Sequence, residues 1–335
     1  MRKLNIVMAF VMLLLLVVAA NAGVKEDLDK VSQLYRTGQF ADAVIKASDL
    51  VAQPGLSTQD SIAALTWLSK AAAVNNQEPV AVSYLGALVK MDPNTTFNED
   101  IEHKKFARTW IKFCQDTGFK PGMREKMITV YAADFSNGSI VDAEKYASAG
   151  IGVAAMMNST LTQSGVVYVP SREKINFITD ELKMSQSDLA DENTRLQVGK
   201  VVGVQNFVFG TFMKMEDNKV RIMARIIDTE TSLPKKSFSL EGKEGKIGQL
   251  IGMVSDSILT YFNVQADAIK KAGAKVPDVS LAAVLAQSRG IAFEEKGDLE
   301  SANKYYAEAL QISPNFVMAS ERKQRVELEI KSNSQ

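Results

Sequence analysis

The order of patterns across residues 128–241 allows few folds. A strand pattern at 128–135 is followed by a glycine-containing helical pattern from Asp142 to Leu161, and then by a short apolar stretch at 166–170. A second helical pattern opens at Ser171, and two stretches of alternating residues close the segment. Period-two alternation indicates half-buried strands, whereas apolar spacing of three and four residues indicates helices. The segment is therefore predicted to form an α/β domain in which helices cover a sheet.

The end of this segment shows the strand pattern most clearly. Apolar side chains at 220, 222, 224 and 226 alternate with Lys219, Arg221, Met223 and Arg225. Asp217-Asn218 separates this stretch from the preceding strand at 204–215, which predicts a hairpin. A further short strand is expected at 236–240. The apolar stripe of residues 247–262 has helical offsets, so we expect this helix to cover one face of the sheet.

Four short motifs lie in a fixed order in this domain. They are Asp134-Phe135, Arg172-Glu173, the glycines Gly199, Gly203 and Gly210, and Asp228-x-x-Thr231. Their order and spacing resemble the CsgG/HfaB family of curli assembly and transport components. Related domains occur in activators of penicillin-binding proteins and at the N-terminus of TolB. The resemblance implies a non-enzymatic role in assembly or scaffolding at a bacterial envelope.

Two departures from the secretion-channel members of that family matter. Ser232 follows Thr231, where the family pattern often has glycine, and no lipid-accepting cysteine follows the N-terminal apolar segment. The chain also lacks inserted hairpins with the alternation of about ten residues that a membrane strand requires. Two alternatives stay open beside an adaptor role. One is a subunit of a curli-type outer-membrane secretion channel, and the other is a regulator of a peptidoglycan synthase.

The N-terminus indicates export. Arg2 and Lys3 precede an apolar run from Ile6 to Ala20, and Ala20-Asn21-Ala22 has the small-x-small pattern of a cleavage site. Residues 1–22 are therefore predicted to be a signal peptide. Removing them leaves 37 basic and 39 acidic residues. This balance argues against nucleic-acid binding, which needs an excess of positive charge. The single cysteine permits no internal disulfide.

Helical repeats are predicted at both ends of the chain. Near the C-terminus, seven residues fall on the spacing of a tetratricopeptide (TPR) repeat of about 34 residues. They are Gly290, Phe293, Gly297, Ala302, Tyr306, Ala309 and Pro314. Weaker copies occur in residues 25–117. One such repeat cannot bury its apolar face alone, so the C-terminal repeat is expected to dock on its own chain or on another copy.

Few residues suit catalysis or metal binding. The chain has one histidine and one cysteine, which excludes most nucleophile–base pairs and metal clusters built from them. His103 lies in a charged stretch and is expected to be solvent-exposed, whereas Cys114 is expected to be a small buried side chain. Asp134 follows a strand with no second carboxylate near it in sequence, which favours a turn or cap role. Gly150-Ile-Gly152 lacks the third glycine of a dinucleotide fingerprint. We therefore predict no enzyme activity, no catalytic residue, no metal and no cofactor.

These observations predict an α+β multidomain protein, with TPR-like helical hairpins around a CsgG/TolB-N-like α/β sandwich domain. The predicted divisions are a signal peptide at 1–22, a TPR-like helical domain at 23–120, a CsgG-like domain at 121–268, a linker at 269–278 and a C-terminal TPR repeat at 279–330.

The predicted location is the periplasm of a Gram-negative-type envelope, with outer-membrane association and at most peripheral membrane contact. The predicted partners are other envelope proteins, bound in the TPR-like groove, and further copies of the chain, bound through the CsgG-like domain. Nucleic acid is not an expected partner. The residues predicted to contribute to the groove are Tyr35, Phe40, Trp67 and Tyr84.

Overall fold

The computed structural model describes residues 23–122, 127–140, 142–182, 184, 191–264 and 278–334. The predicted signal peptide and most of the predicted linker lie outside these residues. The chain divides into two compact units. Of the described residues, those in 23–97, 103–121 and 331–334 belong to unit 1, and those in 98–102 and between 122 and 330 belong to unit 2.

Unit 1 is helical. Its helices are α1 (23–36), α2 (Phe40–Val51), α3 (Thr58–Val74), α4 (Glu78–Met91) and α5 (Lys104–Thr117). Local signals in the sequence set several ends. The Ser57 side chain caps α3 by accepting a hydrogen bond from the Asp60 N–H, and Gly118 ends α5 in the left-handed conformation that glycine favours.

Small and branched apolar residues form the core of unit 1. Alanines on α2 and α3 are buried where these two helices pack together, and Leu85 and Leu88 are buried on α4. Trp110 of α5 is fully buried and stacks on Phe113. Successive helices pack on each other, but whether they follow the TPR pattern stays a prediction.

Unit 2 contains a mixed sheet of six strands. They are β1 (Ile128–Ala132), β2 (Ser136–Asn137), β3 (Val167–Tyr168), β4 (Asn206–Lys214), β5 (Lys219–Asp228) and β6 (Pro234–Lys243). The strand order is β3-β1-β4-β5-β6, and β2 also pairs with β4. β1 is parallel to β3 and β4, whereas β4, β5 and β6 form antiparallel pairs. The described part of the chain is therefore of the α+β class.

Helices cover both faces of this sheet. They are α6 (Ala149–Gln163), α7 (Arg172–Glu181), α8 (Glu192–Val202) and α9 (Ile247–Tyr261). One core joins α6 and α9 to the inward side chains of β1, β4 and β5. A second core on the opposite face joins α7 and α8 to Tyr131, Phe207 and Phe209. The alternation of β5 and the helical stripe of 247–262 thus predicted their burial correctly.

Three C-terminal helices complete unit 2 as far as Ile330. They are α10 (Leu281–Glu295), α11 (Leu299–Ile312) and α12 (Val317–Asn333). Val284, Ala309, Phe316 and Ala319 belong to the same core as α6 and α9. The C-terminal helices therefore pack on their own chain, which is one of the two arrangements expected for a lone hairpin.

Candidate functional site

The first and second motifs of unit 2 meet in an ion pair. Asp134 follows β1, and Arg172 is the first residue of α7. The guanidinium donates from Nη1 to Asp134 Oδ1 at 2.6 Å and from Nη2 to Oδ2 at 2.8 Å. Its Nε donates to Glu295 Oε1 of α10 at 2.5 Å. Arg172 therefore links β1, α7 and α10 through one planar group.

This geometry fixes the charge state of Asp134. Burial raises the pKa of the Asp134 carboxyl, but attraction to Arg172 outweighs burial and holds the pKa below its ordinary value. A carboxylate already held bidentately by an arginine has little basicity left for proton transfer. Asp134 therefore holds elements together, which is a different structural role from the turn or cap that we predicted.

A second, more deeply buried cluster lies among the C-terminal helices. Arg325 of α12 donates to Glu329 at 2.9 Å, contacts Glu294 at 3.2 Å and reaches Glu173 of α7 at 3.4 Å. Arg322 also contacts Glu294. Burial raises the pKa of Glu294, but attraction to the two arginines dominates and lowers it. The cluster thus joins α7, α10 and α12.

No sequence pattern described above predicts this second cluster. Arg322, Arg325 and Glu329 lie three and four residues apart, so they share one face of α12. A charged stripe of this kind is usually solvated, yet these side chains are buried. The spacing was a usable signal for a common face, but it gave no indication that the face is buried.

Three glycines allow close packing around Phe135 and Phe207. A Cβ atom added to Gly150 of α6 would lie 1.7 Å from the carbonyl oxygen of Phe135. A Cβ added to Gly210 of β4 would lie 2.1 Å from Cε1 of the Phe135 ring. Gly199 has the same relation to the ring of Phe207, at 2.1 Å. These positions require glycine because neighbouring atoms fill the space of a side chain.

The last motif forms a turn beside a cleft. Asp228 Oδ1 accepts hydrogen bonds from the Thr231 N–H at 2.9 Å and from the Glu230 N–H at 3.1 Å. Lys235 forms an ion pair with Asp228 Oδ2 at 2.6 Å. The side-chain hydrogen bond from Lys235 is the largest cause of the lowered Asp228 pKa.

The adjacent cleft has a volume of about 920 Å³ and lies at the end of the sheet where β4 begins and β5 ends. Its walls include Gln205, Asn206 and Tyr261. Thr229 lines it, and among the described residues its buried Oγ1 has no hydrogen-bond partner. Other polar side chains there are bonded within the protein, for example Asn206 Oδ1 by Lys235 at 2.8 Å. The cleft therefore has polar walls.

The residues predicted to form a partner groove lie in unit 1. Tyr35 and Phe40 are buried, with ring centroids 5.4 Å apart, and Tyr35 lies 5.5 Å from the Trp67 ring. Trp67 and Tyr84 are partly exposed. The structure thus brings Tyr35, Phe40 and Trp67 together. Their role in binding a partner stays a prediction, as does that of Tyr84.

The environment of His103 differs from the prediction. We expected solvent exposure, but His103 is 4% exposed and begins α5, where its Nδ1 accepts a hydrogen bond from the Lys105 N–H at 3.2 Å. The prediction was wrong because an imidazole that caps a helix gains a partner and can be buried at little cost. Cys114 is partly exposed.

Within the described ranges, no group of three or more His, Cys, Asp or Glu side chains could hold a metal ion. None of the helices described has the length and apolar character needed to cross a membrane.

Comparisons with known proteins support the predicted resemblance in part. Residues 120–224 match the family model described as "Curli production assembly/transport component CsgG". The match begins before β1 and ends within β5, so it confirms a CsgG-like domain over that range. Among proteins with curated descriptions, none matches this chain.

Two solved structures are similar to part of this chain. Lipoprotein GNA1162 from Neisseria meningitidis is 16% identical, with a TM-score of 0.30, over 41% of this chain and 97% of its own. The LpoB C-terminal domain from Salmonella enterica is 13% identical, with a TM-score of 0.27, over 41% of this chain and 94% of its own.

Proposed function

We propose that this protein is an exported, non-enzymatic adaptor or assembly protein of a bacterial cell envelope. The observation that carries the proposal is the match of residues 120–224 to the CsgG family, because that family is described as a curli production assembly/transport component. The protein would act by binding, with its helical unit contacting an envelope partner and its α/β domain contacting further copies of the chain.

The charge chemistry of unit 2 supports a binding role. Asp134, Glu294 and Glu173 each contact an arginine, and these pairs connect helices with the sheet. Carboxylates locked in this way stabilise an arrangement of elements rather than exchange protons with a substrate. A rigid domain of this kind suits a protein that presents surfaces to partners.

The helical unit offers a surface for such a partner. Trp67 and Tyr84 are both partly exposed, and aromatic side chains are common anchors in protein interfaces. Lys70 lies 5.4 Å from the centroid of the Trp67 ring, which holds that ring in place through a cation–π contact. We therefore assign partner binding to the region of Trp67 and Tyr84, above the buried Tyr35 and Phe40.

Capture from envelope extract tests this proposal. The protein carries an affinity tag, and bound proteins are compared for the wild type, Trp67→Ala, Tyr84→Ala and the control Ile45→Ala. Ile45 is a large apolar side chain that is 62% exposed on α2. We expect both aromatic variants to lose a specific bound protein by at least tenfold while their far-UV circular dichroism stays unchanged. Equal capture by all four proteins would contradict the assignment.

Two further measurements separate the alternatives. Light scattering with size-exclusion chromatography tests self-association, since a ring-sized oligomer supports it and a monomer contradicts it. Extraction of envelopes with sarkosyl tests the channel alternative, because a channel subunit stays with the outer membrane whereas an adaptor is released.

A further inference from the structure

The outer edge of β6 is a long unpaired strand edge. β6 pairs with β5 on one side and is the last strand in the sheet order. It has ten residues, whereas β3 at the opposite end of the order has two. An unpaired strand edge presents backbone N–H and C=O groups that can pair with another chain.

Two hydrogen bonds show which residues of β6 point outward. The Glu244 N–H donates to Asn218 O at 2.8 Å, and the Met215 N–H donates to Lys219 O at 2.9 Å. Backbone groups in an antiparallel pair face the partner at every second residue. Both bonds therefore show that the even-numbered residues of β6 direct their backbone N–H and C=O groups toward β5.

The backbone groups of Ser237, Ser239 and Glu241 consequently face away from the sheet. In the part of the chain that the structure describes, their N–H groups have no hydrogen-bond partner. Ser237 and Ser239 are also exposed and small, so a chain can approach this stretch closely. Phe238 and Leu240 pack against the core of unit 2, which holds the strand in place.

The charges along β6 select the kind of chain that fits. Lys236 and Lys243 have no ion-pair partner among the described residues, whereas the acidic Glu241 is already paired with Arg221. A second copy paired antiparallel about Ser239 would set its Lys243 against Lys235 of the first, and because Lys235 is already paired with Asp228, Lys243 would gain no acidic partner there. Like charges directly opposite destabilise a strand pair, and edge lysines oppose self-pairing. Acidic side chains would instead face uncompensated lysines.

We propose that the outer edge of β6 binds an extended acidic segment of a partner protein, which adds to the sheet as an antiparallel strand. Backbone hydrogen bonds to Ser237, Ser239 and Glu241 supply the pairing, and the lysines supply the preference for acidic residues. The inference goes beyond the proposed function because it rests on unit 2 alone and does not require the surface of Trp67 and Tyr84.

A peptide titration tests this proposal on the full chain. The probe is a fluorescent ten-residue peptide in which pairs of glutamates alternate with pairs of valines, so that glutamates lie on both faces of the added strand, and its anisotropy is followed as protein is added. Ser239→Pro removes one outward N–H, a change that strand edges tolerate, while Ser239→Ala keeps that N–H. We expect the proline variant to bind at least tenfold more weakly than the wild type and the alanine variant to bind equally well. Far-UV circular dichroism checks that both variants fold.

The preference for acidic peptides and the independence from Trp67 are tested in the same assay. Lys236→Glu combined with Lys243→Glu should weaken binding of the acidic peptide at least tenfold, and a peptide with lysine pairs in place of the glutamate pairs should not bind. The Trp67→Ala variant should bind the peptide as the wild type does. A failure of the binding role assigned to Trp67 and Tyr84 is therefore distinguishable from a failure of the β6 proposal.

Three results would overturn the proposal. One is the absence of binding by the acidic peptide, and another is equal binding by the Ser239→Pro variant. The third is a dimer in light scattering that Ser239→Pro converts to a monomer, since this would assign the edge to a second copy.

Discussion

Replacing Gly150 by alanine tests the packing around Phe135 directly. The added Cβ would lie 1.7 Å from the Phe135 carbonyl oxygen and 2.6 Å from its carbonyl carbon. Ordinary carbon–oxygen contacts are about 3.3 Å or longer, so the backbones must separate by roughly 1.5 Å. The neighbouring atoms are backbone and cannot rotate away.

Phe135 also has little freedom to move. Its ring packs against Gly210, and the preceding Asp134 is held by Arg172 at 2.6 Å. Overpacking usually costs about 1–3 kcal/mol and sometimes more. We expect Gly150→Ala to cost about 3 kcal/mol because the obstacle is backbone on a restrained segment.

Hydrogen exchange measured by mass spectrometry gives the assay. A loss of about 3 kcal/mol corresponds to exchange on the order of 100-fold faster in peptides covering α6 and β1, where exchange follows global opening. Gly86→Ala is the matched control in unit 1, since its added Cβ would lie 4.0 Å from the nearest atom, in the Phe113 ring. That change should stabilise α4 by about 0.5–1 kcal/mol. If exchange in α6 of the Gly150→Ala variant stays within threefold of the wild type, the packing argument is refuted.

Two further predictions concern charge. Arg172→Ala should lower the free energy of unfolding by about 3 kcal/mol at pH 7, measured in urea, because it leaves the Asp134 and Glu295 carboxylates without their partner. Because the Asp134 pKa is lowered in the folded state, the difference in the free energy of unfolding between this variant and the wild type should shrink as the pH falls below about 4. An unchanged difference at pH 3 would contradict this prediction. Burial, the largest cause, raises the pKa of Glu99 from 4.5 to about 7. The raised pKa favours folding below pH 4.5, and this contribution is lost as the pH rises through 7. Glu99→Gln should therefore stabilise the protein by about 1–2 kcal/mol at pH 8 and flatten its pH dependence, and an unchanged pH profile would contradict this.

The sequence predicted the elements whose signals are local. The alternation around Ile222 gave β5, and Asp217-Asn218 gave the hairpin turn, where both residues have φ of 55°. Left-handed conformations at both central positions are typical of tight hairpin turns, and Asn and Asp tolerate them. The helix at 247–262 was equally readable because its apolar stripe repeats over four turns.

Contacts between distant residues were not readable in this way. Asp134 and Arg172 are 38 positions apart, so no sequence period connects them, although each lies in a motif of the family resemblance. The burial of Arg325 depends on Glu173 and Glu294 from other helices, which balance the cost of removing a charged group from water. Local charge content predicted exposure for His103, and tertiary structure overrode that signal.

The arrangement around Phe135 has a consequence for what the family signature can report. The signature residues Asp134, Phe135, Arg172 and Gly210 point at one another, so they record how the domain holds its shape. The contacts proposed for a partner lie elsewhere, at the edge of β6 and around Trp67 and Tyr84. The motifs of the resemblance therefore report the shape of the domain and carry no information about which partner it binds.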